Sequence, residues 1–466
     1  MTDHDSAGGE AAINAQGVPA ASPAAKAVPA FDNHNPPSMK LISECVHCGF
    51  CLPTCPTYGL WHEEMDSPRG RIYLMKLASD GQAQMTDTFV AHFDHCLGCM
   101  ACMTACPSGV KYDKLIEATR AQIERNHPRP LGERLYRRLI FAVFPHASRL
   151  RLLLLPVWLY QALGIRWLVE RLGALKILPA AFRSMDELLP RISFRSLFSK
   201  SAERVQAQGT PRLRVGVLLG CVQRVLFPNV NEATARVLAA EGCEVILPRE
   251  QGCCGALMIH AGQEKPALQL ARRLIDAFER TGVDVIVSNA AGCGSNLKDY
   301  GYLLRDDPAY AARAKAFSAR CKDISEVLAE LEPRAARQPL AMRVAYHDAC
   351  HLQHAQGVRA QPRKALATIP QLEVVEIADR EICCGSAGIY NLIAPGPAQE
   401  LGDRKAESCA ATNADAVVSS NPGCLLQIAA GLKRNGRTLP VLHMVELLDA
   451  AIRGVQPEGM NSKRAG

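Results

Sequence analysis

Nineteen of the 466 residues are cysteine, and their spacing carries the chemistry of the chain. Eight fall into two tight groups, Cys45-x2-Cys48-x2-Cys51-x3-Cys55-Pro56 and Cys96-x2-Cys99-x2-Cys102-x3-Cys106-Pro107. Three thiols at intervals of three set their sulfurs around one corner of a cube as the backbone loops over it. Loop amides then point at the inorganic sulfide, and the proline ends the loop. The fourth cysteine of each run points away, to the other cube. Cys45, Cys48, Cys51 and Cys106 form one ligand set; Cys96, Cys99, Cys102 and Cys55 form the other. This pattern predicts two [4Fe–4S] clusters close enough to relay electrons. A pair of structural zinc sites in a scaffold protein is the competing reading. Zinc takes isolated C-x2-C pairs, four ligands per ion, whereas two full tetrads closed by proline favour iron–sulfur. Gly49 and Gly98 are expected where the backbone comes close to a cluster.

Eight more cysteines recur at matching places: Cys221, Cys253, Cys254 and Cys293, then Cys350, Cys383, Cys384 and Cys424. Corresponding members are separated by 129 to 131 residues, which marks an internal duplication. Short β-branched runs precede them, LRVGVLLG, EVILP and VDVIVS in the first copy, and MRVAYHD, LEVVEIA and DAVVSSNPG in the second. Helical stretches alternate with these runs, as in a parallel sheet with crossover helices. Each cysteine then sits past the carboxyl end of a strand, the edge where open α/β sheets gather ligands. Gly255 and Gly385 relieve crowding after the adjacent cysteine pairs. A further iron–sulfur site, redox-active thiols and buried structural cysteines all remain open at each repeat. His347 and His351 flank Cys350 and are available as ligands or proton shuttles, a core or surface histidine being the plainer reading. Cys243, Cys321 and Cys409 fall outside the register and read as ordinary thiols.

These sites need five segments to position them: an Ala/Pro-rich disordered tail (1–37), a cluster-binding domain (38–128), a helical apolar connector (129–208) and two cysteine-rich domains (209–336 and 337–458). The fold class is therefore multidomain α+β and α/β, with a helical two-cluster domain ahead of duplicated β-α-β units with parallel sheets. The tail has no apolar signal core, and so many thiols suit a reducing compartment, which points to a cytoplasmic location. A net charge of +7 over this length does not indicate nucleic-acid binding. No run reaches the ~18 apolar residues of a spanning helix. The nearest, LLLLPVWLYQALGI from Leu152 to Ile165, is interrupted by Pro156 and flanked by Arg137, Arg138, Arg149, Arg151, Arg166 and Arg171. It reads as a buried hairpin, a cover for a partner, or an interfacial membrane contact. Dinucleotide, P-loop and hydrolase motifs are missing, so the chain is not expected to oxidise an organic substrate unaided.

The segments CVHCGFCLPTCPTYGLWHEEMDSPRGRIYLMK and CLGCMACMTACPSGVKY, followed by two CCG units, resemble the glycolate oxidase iron–sulfur subunit family over roughly residues 38 to 455. The stretch Asp66-Ser67-Pro68-Arg69-Gly70-Arg71 makes the resemblance more specific than a generic ferredoxin. It implies an oxidoreductase subunit acting on CH–OH donors beside flavoprotein-type subunits that carry FAD. They would oxidise glycolate to glyoxylate, with D-lactate also accepted. Electrons would pass on toward the quinone pool or respiratory chain, at the cytoplasmic face of the inner membrane. The CCG units are also similar to those of heterodisulfide reductase and of the anaerobic glycerol-3-phosphate dehydrogenase small subunit. There the last cysteine belongs to a C-x-x-C pair; here Gly294-Ser295-Asn296 and Leu425-Leu426-Gln427 follow, and the second member is missing.

Overall fold

The computed structural model describes residues 29–172, 180–192, 194–198 and 202–457. The first module is helical. Its helices Pro68–Ser79, Asp87–His95 and Tyr112–Asn126 bury Ile72, Met75, Phe93, Leu115, Ile116 and Ile123. Two starts are set by local chemistry. Ser67 Oγ accepts from the Gly70 amide with Pro68 in the first turn, and Thr86 accepts from the Phe89 amide.

Residues 1–28 of the expected tail lie outside the described residues, but 29–37 depart from the expectation. Phe31 is buried against Phe89. The Asp32 carboxylate accepts from Arg125, Asn126 and Gln122. This short stretch is held by one aromatic anchor and one carboxylate, features too sparse to stand out in an Ala/Pro-rich sequence.

The connector holds helices Leu131–Val143, Ala147–Ala162, Ile165–Arg171, Ala180–Leu188 and Phe194–Phe198. Pro156 lies inside a continuous helix. The break comes later, at Gly164, which adopts φ 70°. The first two helices meet at 107°, and no single helix among the described residues is long and apolar enough to cross a membrane.

The cysteine-rich half contains two sheets. Strands β1 (Arg204–Val205), β2 (Leu213–Leu218), β3 (Cys243–Ile246), β4 (Val285–Ser288) and β5 (Cys321–Asp323) form one in the order β1-β3-β2-β4-β5. Strands β6 (Met342–Tyr346), β7 (Leu372–Glu376), β8 (Ala416–Ser419) and β9 (Val441–His443) form the other in the order β7-β6-β8-β9. Leaving out β1, the two orders are the same, as a duplication requires. All pairings are parallel except β1 with β3, an antiparallel edge from residues expected in the connector. Residues 204–205 are too short to announce a strand and are recruited by the free edge of β3. Cys321, expected to be an ordinary thiol, opens β5 and is buried; Cys243 and Cys409 are core residues.

The repeats lock together through helices Pro228–Ala240 and Met444–Arg453. Arg236 makes a two-pronged ion pair with Asp449 at 2.8 and 2.7 Å, and His443 Nε2 donates to the Asn289 carbonyl at 2.8 Å. The helical module sits over the strand ends of both. Arg120 donates to the His260 carbonyl at 2.7 Å, and His351 Nε2 donates to the Gly98 carbonyl at 2.9 Å. The two cluster loops and the eight repeat cysteines are thereby gathered into one region.

Candidate iron–sulfur sites

The two cysteine loops share one backbone trace. In the first, His47 and Gly49 take φ of 54° and 89°; in the second, Gly98 and Met100 both take 63°. These are the same two loop positions, so each loop needs two left-handed residues and supplies one of them as glycine. The curl turns Cys45, Cys48 and Cys51 toward one small cavity of about 30 Å³, which Cys106 from the other loop also lines. Cys102 borders it too, so this thiol lies between the two sets. Burial raises the Cys45 and Cys51 thiols, the latter to about 11.

The second set is more enclosed. Cys55, Cys96, Cys99 and Cys102 are all buried. The Gly98 amide donates to Cys96 Sγ at 3.4 Å, and Tyr112 Oη lies 3.6 Å from the same sulfur. Burial pushes the Cys96 thiol up, but the Arg71 and Arg120 guanidiniums outweigh it and leave the thiol below its usual value. Cys99 and Cys102 rise well above theirs, chiefly through burial.

Beside this set lies a polar hub built from the Asp66–Arg71 stretch. Asp66 Oδ1 accepts from Arg71 Nη2 at 3.1 Å, His92 Nδ1 at 3.2 Å and His95 Nδ1 at 3.0 Å. Arg71, 1% exposed, also donates to Thr57 Oγ1 at 3.2 Å and to the His92 carbonyl at 2.5 Å. Thr57 Oγ1 in turn lies 3.3 Å from Cys55 Sγ. The grouping of Asp66, His92 and His95 has the look of a cation site. The buried guanidinium on the same oxygen already supplies that positive charge.

In the first repeat Cys221 and Cys253 Sγ are 3.4 Å apart, and Gly255 donates its amide to Cys253 Sγ at 3.3 Å. In the second, Cys350 and Cys383 Sγ are 3.9 Å apart, while His347, Cys384 and Cys424 bring their ligand atoms within 4.8 Å of one another. Gly255 and Gly385, at φ of 85° and 84°, each turn the chain into the next segment, where a side chain on Gly385 would strike the Ala398 carbonyl. All eight thiols, with Cys96, line one largely apolar cavity of about 390 Å³. Hydrogen bonds from Cys383 and Cys424 outweigh burial at Cys384 and hold that thiol well below its usual value. Cys254 goes the other way: the Cys253 bond lowers it, but the Cys293 bond and burial together win.

Four segments match three known families: a 4Fe-4S dicluster domain (residues 41–110), the linker region of the glycolate oxidase iron–sulfur subunit (132–189), and a cysteine-rich domain found twice (215–298 and 344–429). The chain is 36% identical over 427 residues to the glycolate oxidase iron–sulfur subunit of Escherichia coli, covering 88% of this chain and 94% of that protein. It is 39% identical over 412 residues to the "Probable glycolate oxidase iron-sulfur subunit" of Bacillus subtilis, covering 87% and 92%. The chain belongs to the glycolate oxidase iron–sulfur subunit family. Over a shorter stretch the chain is also similar to one subunit of the fumarate reductase (CoM/CoB) of Methanothermobacter marburgensis, 40% identical over 242 residues, 52% of this chain and 47% of that one.

As a member of this family the chain uses iron–sulfur cofactors, and its donor sets suit them. Soft thiolates converge from two loops, backbone amides point at sulfur, and guanidiniums offset the negative charge that such a group concentrates. The fold brings Cys45, Cys48, Cys51 and Cys106 to one cavity with Cys102 beside them, and the eight repeat thiols to another with Cys96. What spacing does not reveal is their surroundings: Arg71, Arg120 and Tyr112 at the second set, and His347 in the second repeat. The Asp66–Arg71 stretch was the one visible signal for the first of these.

Proposed function

We propose that this chain is the electron-transfer subunit of a glycolate oxidase complex. Flavoprotein-type partner subunits carrying FAD take two electrons and two protons from glycolate, giving glyoxylate, with D-lactate as a second substrate. The electrons leave toward the quinone pool or respiratory chain. Cys45, Cys48, Cys51 and Cys106 hold one [4Fe–4S] cluster, and Cys96, Cys99, Cys102 and Cys55 hold the other. When bound, these groups supply one-electron acceptors that split the hydride-equivalent pair delivered by a flavin. The residues of this chain do the rest: they hold the groups in one enclosed region, exclude water, and set the local charge through Arg71 and Arg120. The convergence of both loops on one cavity, lined by Cys45, Cys48 and Cys51 with Cys102 and Cys106, is the observation that carries this reading.

The test is reduction by substrate. Glycolate added anaerobically to the purified complex is expected to bring up the paramagnetic signals of reduced clusters, while glycerol 3-phosphate leaves them silent. A complex reduced by glycerol 3-phosphate alone would replace this assignment with the other.

The complex works peripherally on the cytoplasmic face of the inner membrane, with the connector as its contact. Thirteen of the twenty large apolar side chains exposed among the described residues lie between 131 and 198. Leu131, Leu135 and Leu139 form a stripe along one helix, and Leu152, Leu153 and Leu159 continue it on the next. Seven arginines against two glutamates between 131 and 172 favour an anionic lipid surface. The intact complex is expected to float with phosphatidylglycerol vesicles, and Leu135→Glu with Leu139→Glu to abolish flotation. A wild-type complex that stays with the soluble fraction contradicts the membrane contact.

A further inference from the structure

His347 follows β6 directly and is 1% exposed. Its Nδ1 lies 3.0 Å from Ser419 Oγ at the end of β8, and its own amide donates to the Val418 carbonyl at 2.8 Å. The ring is therefore fixed at Nδ1 and its backbone is pinned to β8. Nε2, by contrast, finds no oxygen or nitrogen partner despite its burial. A ring nitrogen of His347 and the sulfurs of Cys384 and Cys424 all lie within 4.8 Å of one another, and the imidazole hydrogen-bonds the Cys384 thiol. One nitrogen fixed by a hydroxyl and the ring set against two thiols is how a metal-bound histidine is arranged.

We infer that the second repeat holds iron through a mixed set, with His347 Nε2 as a ligand beside the thiolates of Cys350, Cys383, Cys384 and Cys424. His347 supplies the donor that the missing second cysteine after Cys424 does not. The first repeat differs. At the duplication offset of 129 residues its counterpart is Leu218, a buried strand residue with no donor atom. The duplicated sites have thus diverged, and only the second has a fifth ligand.

Position adds to this. Cys99 of the helical module packs in one buried cluster with Cys383, and Cys350 lies against it. The iron at the second repeat therefore neighbours a ligand of the second ferredoxin-type set, on the route an electron would take out of that module. The assignment rests on the electron-transfer reading only for its purpose; the ligand itself is tested separately.

The intact complex, grown on ⁵⁷Fe with ¹⁵N-labelled histidine and purified without oxygen, is titrated stepwise with dithionite. Iron per chain is expected to exceed the about eight atoms of two cubane clusters. Electron–nuclear double resonance is expected to show a directly bound histidine nitrogen. His347→Cys retains the extra iron and loses that nitrogen coupling, and His347→Ala loses both. Cys254→Ser in the first repeat leaves the coupling intact. Acid-labile sulfide separates a cluster from a single iron ion, either of which satisfies the assignment. Coupling that survives in His347→Cys, zinc in place of the extra iron, or no iron beyond eight atoms overturns it. Ferredoxin-type signals remain in every His347 variant, so their absence from the wild type would count against the electron-transfer reading instead.

Discussion

Cys99→Ser is expected to remove the signal of one cluster and to cut turnover with the natural acceptor by more than about 100-fold, while glycolate still bleaches the flavin of the complex. Cys99 is a buried thiol of the second loop, packed against Leu97, Ala101 and the second repeat. A serine hydroxyl is harder and less readily ionised than a thiol, so it is a poor iron ligand in a dry site. The site has no spare thiol, because Cys55, Cys96 and Cys102 already belong to this set and Cys106 belongs to the other. Flavin bleaching survives because, under the proposed function, that chemistry belongs to the partner subunits. The measurement is stopped-flow flavin absorbance beside steady-state turnover. Unchanged turnover would show that electrons do not pass through this set.

The second large effect is predicted at Arg71→Met, with a loss of about 3–5 kcal/mol in the stability of the helical module. Arg71 is a wholly enclosed guanidinium joining Asp66, Thr57 and the His92 carbonyl. Methionine fills a similar space but leaves the Asp66 carboxylate buried without its charged partner. Asp66 is at present held below the usual carboxylate range: burial raises it, and His95, Arg71 and His92 more than reverse that. The same variant removes one of the two guanidiniums that lower Cys96, so that thiol rises. Thermal unfolding of the purified complex reads the first effect, and iron retention during dialysis against a chelator reads the second. Arg71→Lys restores charge but not the multi-pronged geometry and is expected to fall between. A stability loss under about 1 kcal/mol would mean that the hub is not what fastens the loop region.

How much of this was readable in the chain depends on the range of each interaction. The eight ferredoxin-type thiols are spaced within ten residues in each loop, so their pattern is local and visible. The duplication is equally plain, since cysteines mark it at nearly one offset, and most strands of the repeats match their β-branched runs. What escaped was assembled over longer distances or from shorter pieces. Asp66 meets His92 and His95 across 26 and 29 residues, and nothing in the spacing of an aspartate and two histidines distinguishes such a hub from surface residues. His347 looked like one of two histidines beside a cysteine. Only the return of β8 next to β6 puts Ser419 on its Nδ1 and brings Cys424 within reach of the ring. Strands β1, β5 and β9 are two or three residues long and exist because a neighbouring edge was available. Pro156 was expected to interrupt its helix, but the turn came at Gly164, where a left-handed residue was needed.

The crosswise holding of two iron cubes by the loops 45–55 and 96–106 is tested most directly by low-temperature electron paramagnetic resonance. The sample is the anaerobically purified, dithionite-reduced complex, with iron and sulfide counted on the same material. Two clusters sharing ligands from both loops lie close enough for their spins to interact. The expected spectrum is therefore broadened and split, collapsing to that of a single isolated cluster in Cys106→Ser. A sample with zinc in place of iron, or two magnetically independent centres each lost with its own loop alone, would contradict it.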